Sequence, residues 1–96
     1  MTRQVVVTGL GMTSPVGGDV ESSWEGVLAG RSGIVRLHEP WLEDQPAKIA
    51  GVMVSDPAEQ LDRSEARRMD RSQQAALVAA REAWADARRD DGAEAV

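Results

Sequence analysis

The chain has 96 residues, no cysteine, one histidine and a formal net charge of −5. This composition excludes a disulfide framework, a thiolate nucleophile and a Cys-type zinc site, and its acidity disfavours general attraction to nucleic acid or an anionic membrane. Its three aromatic residues, all Trp, leave few large side chains for a core, so we expect the core to be completed by more chain or by a partner.

A continuous β-branched run from Val5 to Val7 predicts a strand at residues 4–8, buried on both faces as in a parallel sheet. Gly9 and Gly11 follow directly and permit a turn or a close backbone approach. Pro15 delays any helix until after residue 18. Residues 4–17 therefore predict a strand, an irregular turn and the start of a helix.

A short helix is predicted at residues 19–29, where Asp19 is suited to the N-cap and Gly30 to the C-cap. One apolar stripe follows the helical period: Val20, Trp24, Val27 and Leu28. We expect this stripe to lie against the sheet that carries Val5 to Val7.

The next stretch, residues 34–46, has no sustained period and is predicted to be a loop, anchored by Trp41. Residues 48–54 predict a second strand with Gly51 as a bulge or close contact. A long segment free of Gly and Pro predicts one helix over residues 64–87, with alanines along its packed stripe. The acidic residues 90–96 predict a helix exit and loop.

Several catalytic motifs are weak in this chain. Gly9 and Gly11 begin a dinucleotide-binding pattern, but Ser14 replaces its third glycine. Thr8 and Ser14 are hydroxyls without a histidine partner in sequence. His38, the single histidine, is read as an ordinary loop residue and forms no metal site by itself. No metal or cofactor is expected.

A basic cluster begins the long predicted helix. Arg63, Arg67 and Arg71 are spaced by four and would share one face, with Arg68 beside them. Three acidic residues lie near enough to neutralise them as ordinary surface ion pairs: Asp62, Glu65 and Asp70. Two interpretations stay open, a solvated set of ion pairs or a docking surface for an acidic partner.

The motifs VVVTGLG, SPVG, WEGVLAGRSGI and RRMD occur in this order between Val5 and Asp70. Together they resemble the N-terminus of β-ketoacyl-(acyl-carrier-protein) synthases of the type II, elongating kind. The resemblance covers residues 3–87. It implies an α/β chain that forms the N-terminal portion of a thiolase-like αβαβα fold, incomplete here, from an enzyme that is normally a homodimer.

The resemblance also implies decarboxylative condensation of an acyl chain with malonyl-carrier protein, in fatty-acid or polyketide biosynthesis. In the family a cysteine nucleophile and two histidines do this chemistry, and their positions lie beyond residue 96. This chain has no cysteine, and His38 matches neither family histidine. No catalytic residue is therefore assigned, and the 96 residues alone are expected to be inactive.

One binding site is carried over from the resemblance. In similar bacterial enzymes, basic residues just before the Met-Asp pair contact the acidic acyl carrier protein, and Arg67 and Arg68 occupy two such positions. Ser64 stands at a third position that is usually basic, which either weakens the contact or moves it to Arg63. We therefore predict a carrier-protein site at Arg67 and Arg68, extended to Arg63.

Two alternatives remain at the level of sequence. One is a non-catalytic, chain-length-factor-like partner subunit of a polyketide synthase, and the other is a small acidic interaction module. The N-terminus has no apolar run of signal-peptide length and no stretch long enough to span a membrane. A cytoplasmic location is therefore expected, without nucleic-acid or membrane partners.

Overall fold

The computed structural model describes residues 2–88, a small mixed arrangement of helices and strands consistent with an α/β fragment. In chain order its longer elements are α1 (Val20–Leu28), β1 (Ile34–Arg36), β2 (Ile49–Gly51), α2 (Arg63–Arg67) and α3 (Arg71–Arg88). Two short 3-10 helices occur at Pro40–Leu42 and Pro57–Gln60. The exit predicted at residues 90–96 lies outside the described residues.

The predicted strand at residues 4–8 is not formed in this structure. Residues 2–13 have no regular secondary structure, and Val5, Val6 and Val7 are 95%, 73% and 78% exposed. A strand needs a neighbour for its backbone N–H and C=O groups, and no strand within residues 2–88 pairs with this segment. The valines therefore have no strand partner within the described residues.

The sheet that does form is a two-stranded antiparallel pair, in which Val35 of β1 lies opposite Ala50 of β2. This corrects two predictions, because residues 34–36 were expected in a loop and the sheet was expected to be parallel. The second strand, predicted at 48–54, ends at Gly51. Beyond it the backbone leaves β1, and the N–H of Val54 donates to the carbonyl of Ser14 at 3.3 Å.

The turn at Ser14–Gly17 is where α1 and the strand pair meet. The N–H of Ser14 donates to the carbonyl of Gly17 at 2.8 Å, and the hydroxyls of Ser14 and Ser23 share a hydrogen bond at 2.8 Å. Pro15 lies so close to Gly33 that a Cβ there would come within 2.6 Å of the proline ring. The small residues Ser23 and Gly33 therefore let this turn pack against both α1 and the start of the strand pair.

Helix α1 begins after Asp19, which forms a capping box with Ser22: the Asp19 carboxylate accepts from the Ser22 N–H at 2.8 Å and the Ser22 hydroxyl accepts from the Asp19 N–H at 3.3 Å. Its buried residues are Ser23 and Gly26. The expected burial of its apolar stripe is wrong, because the Ser14–Gly17 turn packs on the small face of the helix. Trp24 and Val27 are left exposed.

The single helix predicted over 64–87 is divided between α2 and α3. Asp70 lies between the two helices and caps the N-terminus of α3. Its carboxylate accepts from the Gln73 N–H at 2.9 Å, and the Gln73 side-chain oxygen accepts from the Asp70 N–H at 3.0 Å. This is a capping box with glutamine at the third helical position. The break at Asp70 therefore places Arg71 on a different helix from Arg63 and Arg67.

The core within residues 2–88 is small. Leu42 and Val78 are the buried apolar side chains there, apart from prolines and glycines. Trp41, expected to anchor its loop, is 68% exposed, because the short helix Pro40–Leu42 turns Leu42 inward instead. The radius of gyration is 16.8 Å, whereas a compact chain of this length would have about 12.5 Å.

Candidate functional site

The predicted basic site lies on α2 and the residue after it. Arg63 is the first residue of α2, Arg67 is its last, and Arg68 is the C-cap with helical φ of −91°. All three are exposed. Their spacing of four places Arg63 and Arg67 on one face, and Arg67 and Arg68 lie at the helix C-terminus, where the helix dipole favours positive charge.

Arg71 does not belong to this cluster. The break before α3 removes it from the face of α2, and its guanidinium contacts the Asp56 carboxylate at 3.1 Å. Asp56 also caps the preceding 3-10 helix by accepting from the Ala58 N–H at 3.0 Å. The four-residue spacing of Arg63, Arg67 and Arg71 therefore does not describe one surface.

Two of the three carboxylates that could have neutralised the cluster have other contacts, whereas the third, Asp62, forms no side-chain cap at the start of α2. Glu65 pairs with Arg81 of α3 at 2.9 Å, and Asp70 caps α3. The backbone N–H of Gln73, with a smaller contribution from the Ser72 hydroxyl, lowers the pKa of Asp70, so this carboxyl stays ionised as a cap.

Within residues 2–88, no side-chain ion pair or hydrogen bond is found for the three arginines that follow from the resemblance: Arg63, Arg67 and Arg68. The interpretation of the cluster as ordinary surface ion pairs therefore loses its main support. What remains is a set of three exposed cations on a short helix, with Arg63 at its first residue and Arg67 and Arg68 at its C-terminal end.

The orientation of α2 is fixed by two contacts with α3. The first is the Glu65–Arg81 pair, whose side chains are each about one-third exposed. In the second, the Gln74 side-chain amide donates to the carbonyl of Ala66 at 2.9 Å. A helix of five residues is unstable alone, so these contacts position the arginines. Sequence reasoning missed both, because they join residues eight and sixteen positions apart around a turn.

The residues considered for catalysis are not brought together. Ser14 is occupied by its bonds within the turn and to Ser23, and His38 lies exposed after β1. In the described part of the chain no group of three or more His, Asp or Glu residues is arranged to hold a metal ion. No helix there is both long and apolar enough to cross a membrane.

A second surface lies between residues 10–16 and α1. It is an open groove of about 650 Å³ with almost entirely apolar walls. The N-terminal segment that forms one wall is attached to α3, because the Met12 N–H donates to the Glu82 carboxylate at 2.9 Å and the Leu10 N–H donates to the Asp86 carboxylate at 3.1 Å. One wall of the groove is formed by three residues of the apolar stripe predicted on α1, Val20, Trp24 and Val27.

Comparison with known proteins identifies the family. Residues 2–95 match the family described as "Beta-ketoacyl synthase, N-terminal domain". The chain belongs to this family, and the resemblance seen in its motifs is confirmed.

Among its relatives is 3-oxoacyl-(acyl-carrier-protein) synthase 2 of Staphylococcus aureus strain COL, 44% identical over 89 residues, which are 92% of this chain and 22% of the relative. The protein of the same name from Vibrio cholerae serotype O1 is 46% identical over 69 residues, or 71% of this chain and 17% of the relative. The chain thus spans about a fifth of the length of these relatives.

Proposed function

We propose that this chain forms the N-terminal part of a β-ketoacyl-(acyl-carrier-protein) synthase, an acyltransferase that elongates acyl chains by decarboxylative condensation with malonyl-carrier protein. Two relatives that it matches bear the name 3-oxoacyl-(acyl-carrier-protein) synthase 2. The chain has no cysteine and one histidine, so the nucleophile and the oxyanion-stabilising histidines must come from other sequence. The 96 residues alone are expected to be inactive.

The finer features of that enzyme belong to the same proposal. They are a thiolase-like αβαβα fold, a homodimer, a cytoplasmic location and a role in fatty-acid or polyketide biosynthesis. The alternative of a free-standing acidic module is disfavoured, because Leu42 and Val78 alone give residues 2–88 a very small apolar core.

We further propose that Arg67 and Arg68, with Arg63, bind the acidic acyl carrier protein. The observation that carries this proposal is that two of the three nearby acidic side chains are engaged elsewhere, Glu65 with Arg81 and Asp70 as a helix cap, and that the third, Asp62, forms no ion pair with these arginines in the described part of the chain. Exposed cations without an internal counter-ion produce a local positive field on an otherwise acidic chain. Such a field speeds the encounter with an acidic partner and sets its orientation.

The test uses a complete protein, in which this chain replaces the matched 89-residue segment of the S. aureus relative. Arg67→Glu with Arg68→Glu is expected to weaken carrier-protein affinity by roughly tenfold or more, and to lower carrier-dependent turnover in proportion. The loss should shrink at high ionic strength, since exposed charges are screened. Isothermal titration calorimetry and a condensation assay measure the two quantities.

The matched control reverses two exposed arginines outside α2, Arg31→Glu with Arg36→Glu. It changes the net charge equally, so a purely global effect would weaken both variants alike. An equal loss in both variants, or an unchanged carrier affinity in the first, rejects the docking assignment while leaving the family membership intact.

A further inference from the structure

Glu65 has two arginines as potential partners, Arg68 at the end of its own helix and Arg81 on α3. Arg68 follows Glu65 by one helical turn, because the Arg68 N–H donates to the Glu65 carbonyl at 3.1 Å. Side chains at this spacing are neighbours on a helix surface, and oppositely charged ones attract each other. Local sequence alone therefore favours an ion pair between Glu65 and Arg68, which would neutralise one cation of the carrier-binding surface.

In the structure Glu65 pairs with Arg81 instead. The Nη2 atom of Arg81 lies 2.9 Å from Oε2 of Glu65, and the two side chains are 36% and 35% exposed. Their attraction is screened less by water and salt than that of fully exposed charges. Within residues 2–88 no ion pair joins Glu65 to Arg68. The contact with α3 thus leaves the Arg68 guanidinium available to a carboxylate of another molecule.

The other two acidic residues near the cluster do not replace Glu65. Asp62 precedes the first turn of α2, whereas Arg68 caps its opposite end. The Asp70 carboxylate accepts from the Gln73 N–H at 2.9 Å and from the Ser72 hydroxyl at 2.8 Å at the start of α3. Of these three acids, Glu65 is therefore the one whose partner decides the charge around Arg68.

We propose that Arg81 sets the affinity of this chain for the acidic carrier protein by holding Glu65 away from Arg68. Arg81 is a positioning residue in this role, because it acts through Glu65 on the arginine that binds the carrier. The inference rests on the proposed function, since it takes the carrier site at Arg67 and Arg68 as given. It adds a residue outside α2 that controls the strength of this site.

The first experiment observes the Arg68 side chain in the full 96-residue chain. Arg81→Met removes the charge of Arg81 and keeps an unbranched apolar stem, so the packing of that stem is retained. Glu65 should then pair with Arg68, and hydrogen exchange of the Arg68 Nε–H, followed by NMR after nitrogen-15 labelling, should slow roughly twofold or more. Adding Glu65→Gln should return the exchange rate to that of the parent chain, because the amide is uncharged.

Arg71→Met is the matched control for Arg81→Met. Arg71 also lies on α3 and pairs with a carboxylate, that of Asp56 at 3.1 Å. Asp56 lies before the short helix Pro57–Gln60 and not on α2, so its release should leave the exchange of the Arg68 Nε–H unchanged. If Arg81→Met also leaves this rate unchanged, Glu65 does not move to Arg68 and the inference is overturned.

The second experiment measures affinity for acyl carrier protein by calorimetry in the complete protein described under the proposed function. Arg81→Met is expected to weaken this affinity about threefold to fivefold, and adding Glu65→Gln is expected to restore it. In the double variant the contacts of Gln74 with α2 are kept but the ion pair is lost. If the pair served only to orient α2, the double variant would bind as weakly as Arg81→Met, which would overturn the inference.

A double-mutant cycle with Arg68 separates this local role from a general attraction between Arg81 and the carrier. In a protein that carries Arg68→Gln, Arg81→Met should cause no further loss of affinity, because Glu65 then has no arginine of α2 to neutralise. Additive losses would mean that Arg81 attracts the carrier by its own charge, and they would overturn the inference.

The outcomes distinguish this inference from the proposed function. Carrier affinity that falls in Arg67→Glu with Arg68→Glu but not in Arg81→Met overturns the role of Arg81 and leaves the docking assignment standing. Unchanged affinity in the charge-reversal variant rejects the docking assignment, and the role of Arg81 with it.

Discussion

Two regions of the described chain, residues 56–88 and residues 2–13, are held in different ways. Within residues 56–88, two ion pairs join separate elements, Asp56 with Arg71 and Glu65 with Arg81. In residues 2–13, the backbone N–H groups of Leu10 and Met12 donate to carboxylates of α3. The large apolar side chains of this segment nevertheless remain exposed. The difference indicates that polar contacts position the N-terminal segment, while the apolar burial that would stabilise it must come from elsewhere.

The largest effect is expected where the two regions touch most closely. A Cβ at Gly11 would overlap the carbonyl oxygen of Ala79 in α3, and helix backbone has no room to yield. Gly11→Val should destabilise the docked position of residues 9–13 by about 3 kcal/mol. Amide hydrogen exchange at Leu10 and Met12 should then accelerate on the order of a hundredfold.

Gly30→Asn is the control for Gly11→Val, and it should leave the amide exchange of Leu10 and Met12 unchanged. Gly30 has φ of 69° and open space around its Cα, and asparagine tolerates that conformation. Unchanged exchange in Gly11→Val would show that the segment is not packed on α3, and the contrast between the two regions would lose its basis.

A smaller effect is expected at Glu82, whose carboxylate accepts the N–H of Met12 at 2.9 Å and of Val20 at 3.1 Å. It joins α3, the N-terminal segment and the first residue of α1. Glu82→Ala should lower the free energy of unfolding by about 2 kcal/mol, and Asp86→Ala, which removes one exposed bond, by about 1 kcal/mol. Urea denaturation of both variants measures the two losses in the free energy of unfolding. Equal losses in the two variants would argue against the bridging role of Glu82.

Lowering the pH should weaken the two helix N-caps, because it protonates the carboxylates of Asp19 and Asp70. The side-chain and backbone groups of Ser22 lower the pKa of Asp19, and the backbone N–H of Gln73 followed by the Ser72 hydroxyl lowers that of Asp70. A carboxyl with a depressed pKa stabilises the folded state fully above its ordinary value of 3.8, and this contribution is lost as pH falls through the depressed value.

Helicity of α1 and α3, followed by circular dichroism, should therefore decline as pH falls below 3.8. The double variant Asp19→Asn and Asp70→Asn is the control, because asparagine caps a helix without titrating. Its helicity should decline less over the same range. Identical acid profiles would assign the loss to other carboxylates.

Capping residues in the sequence were sufficient to predict α1, whereas the apolar period was insufficient to predict the break between α2 and α3. Asp19 and Gly30 predicted a helix at 19–29, and α1 spans Val20–Leu28, because caps act through neighbouring residues. The D-R-S-Q sequence from Asp70 to Gln73 also carried a capping signal. The alanine period across it predicted one continuous helix, and that prediction was wrong.

Contacts between distant residues were beyond prediction from pattern. Strand β1 contains three residues, too few for a period of two to be recognised, whereas β2 lies within the strand predicted at 48–54. The exposure of Arg63, Arg67 and Arg68 follows from their charge, but their lack of partners depends on Glu65 contacting Arg81, sixteen residues away. Carrier binding at these arginines stays a prediction.

Within the 96-residue chain, the smallest effect on stability is expected for a substitution in the run Val5 to Val7. Comparing this substitution in the isolated chain and in the complete protein tests whether burial outside this chain stabilises the N-terminal region. Val6 is 73% exposed, so Val6→Asp should change the free energy of unfolding of the 96-residue chain by no more than about 0.5 kcal/mol. In the complete protein used to test carrier binding, where strands would cover this position, the same change buries an unpaired carboxylate and should abolish soluble expression. Equal tolerance in both settings would mean that the valines stay at a solvent-facing surface and that no strand from the rest of the synthase covers them.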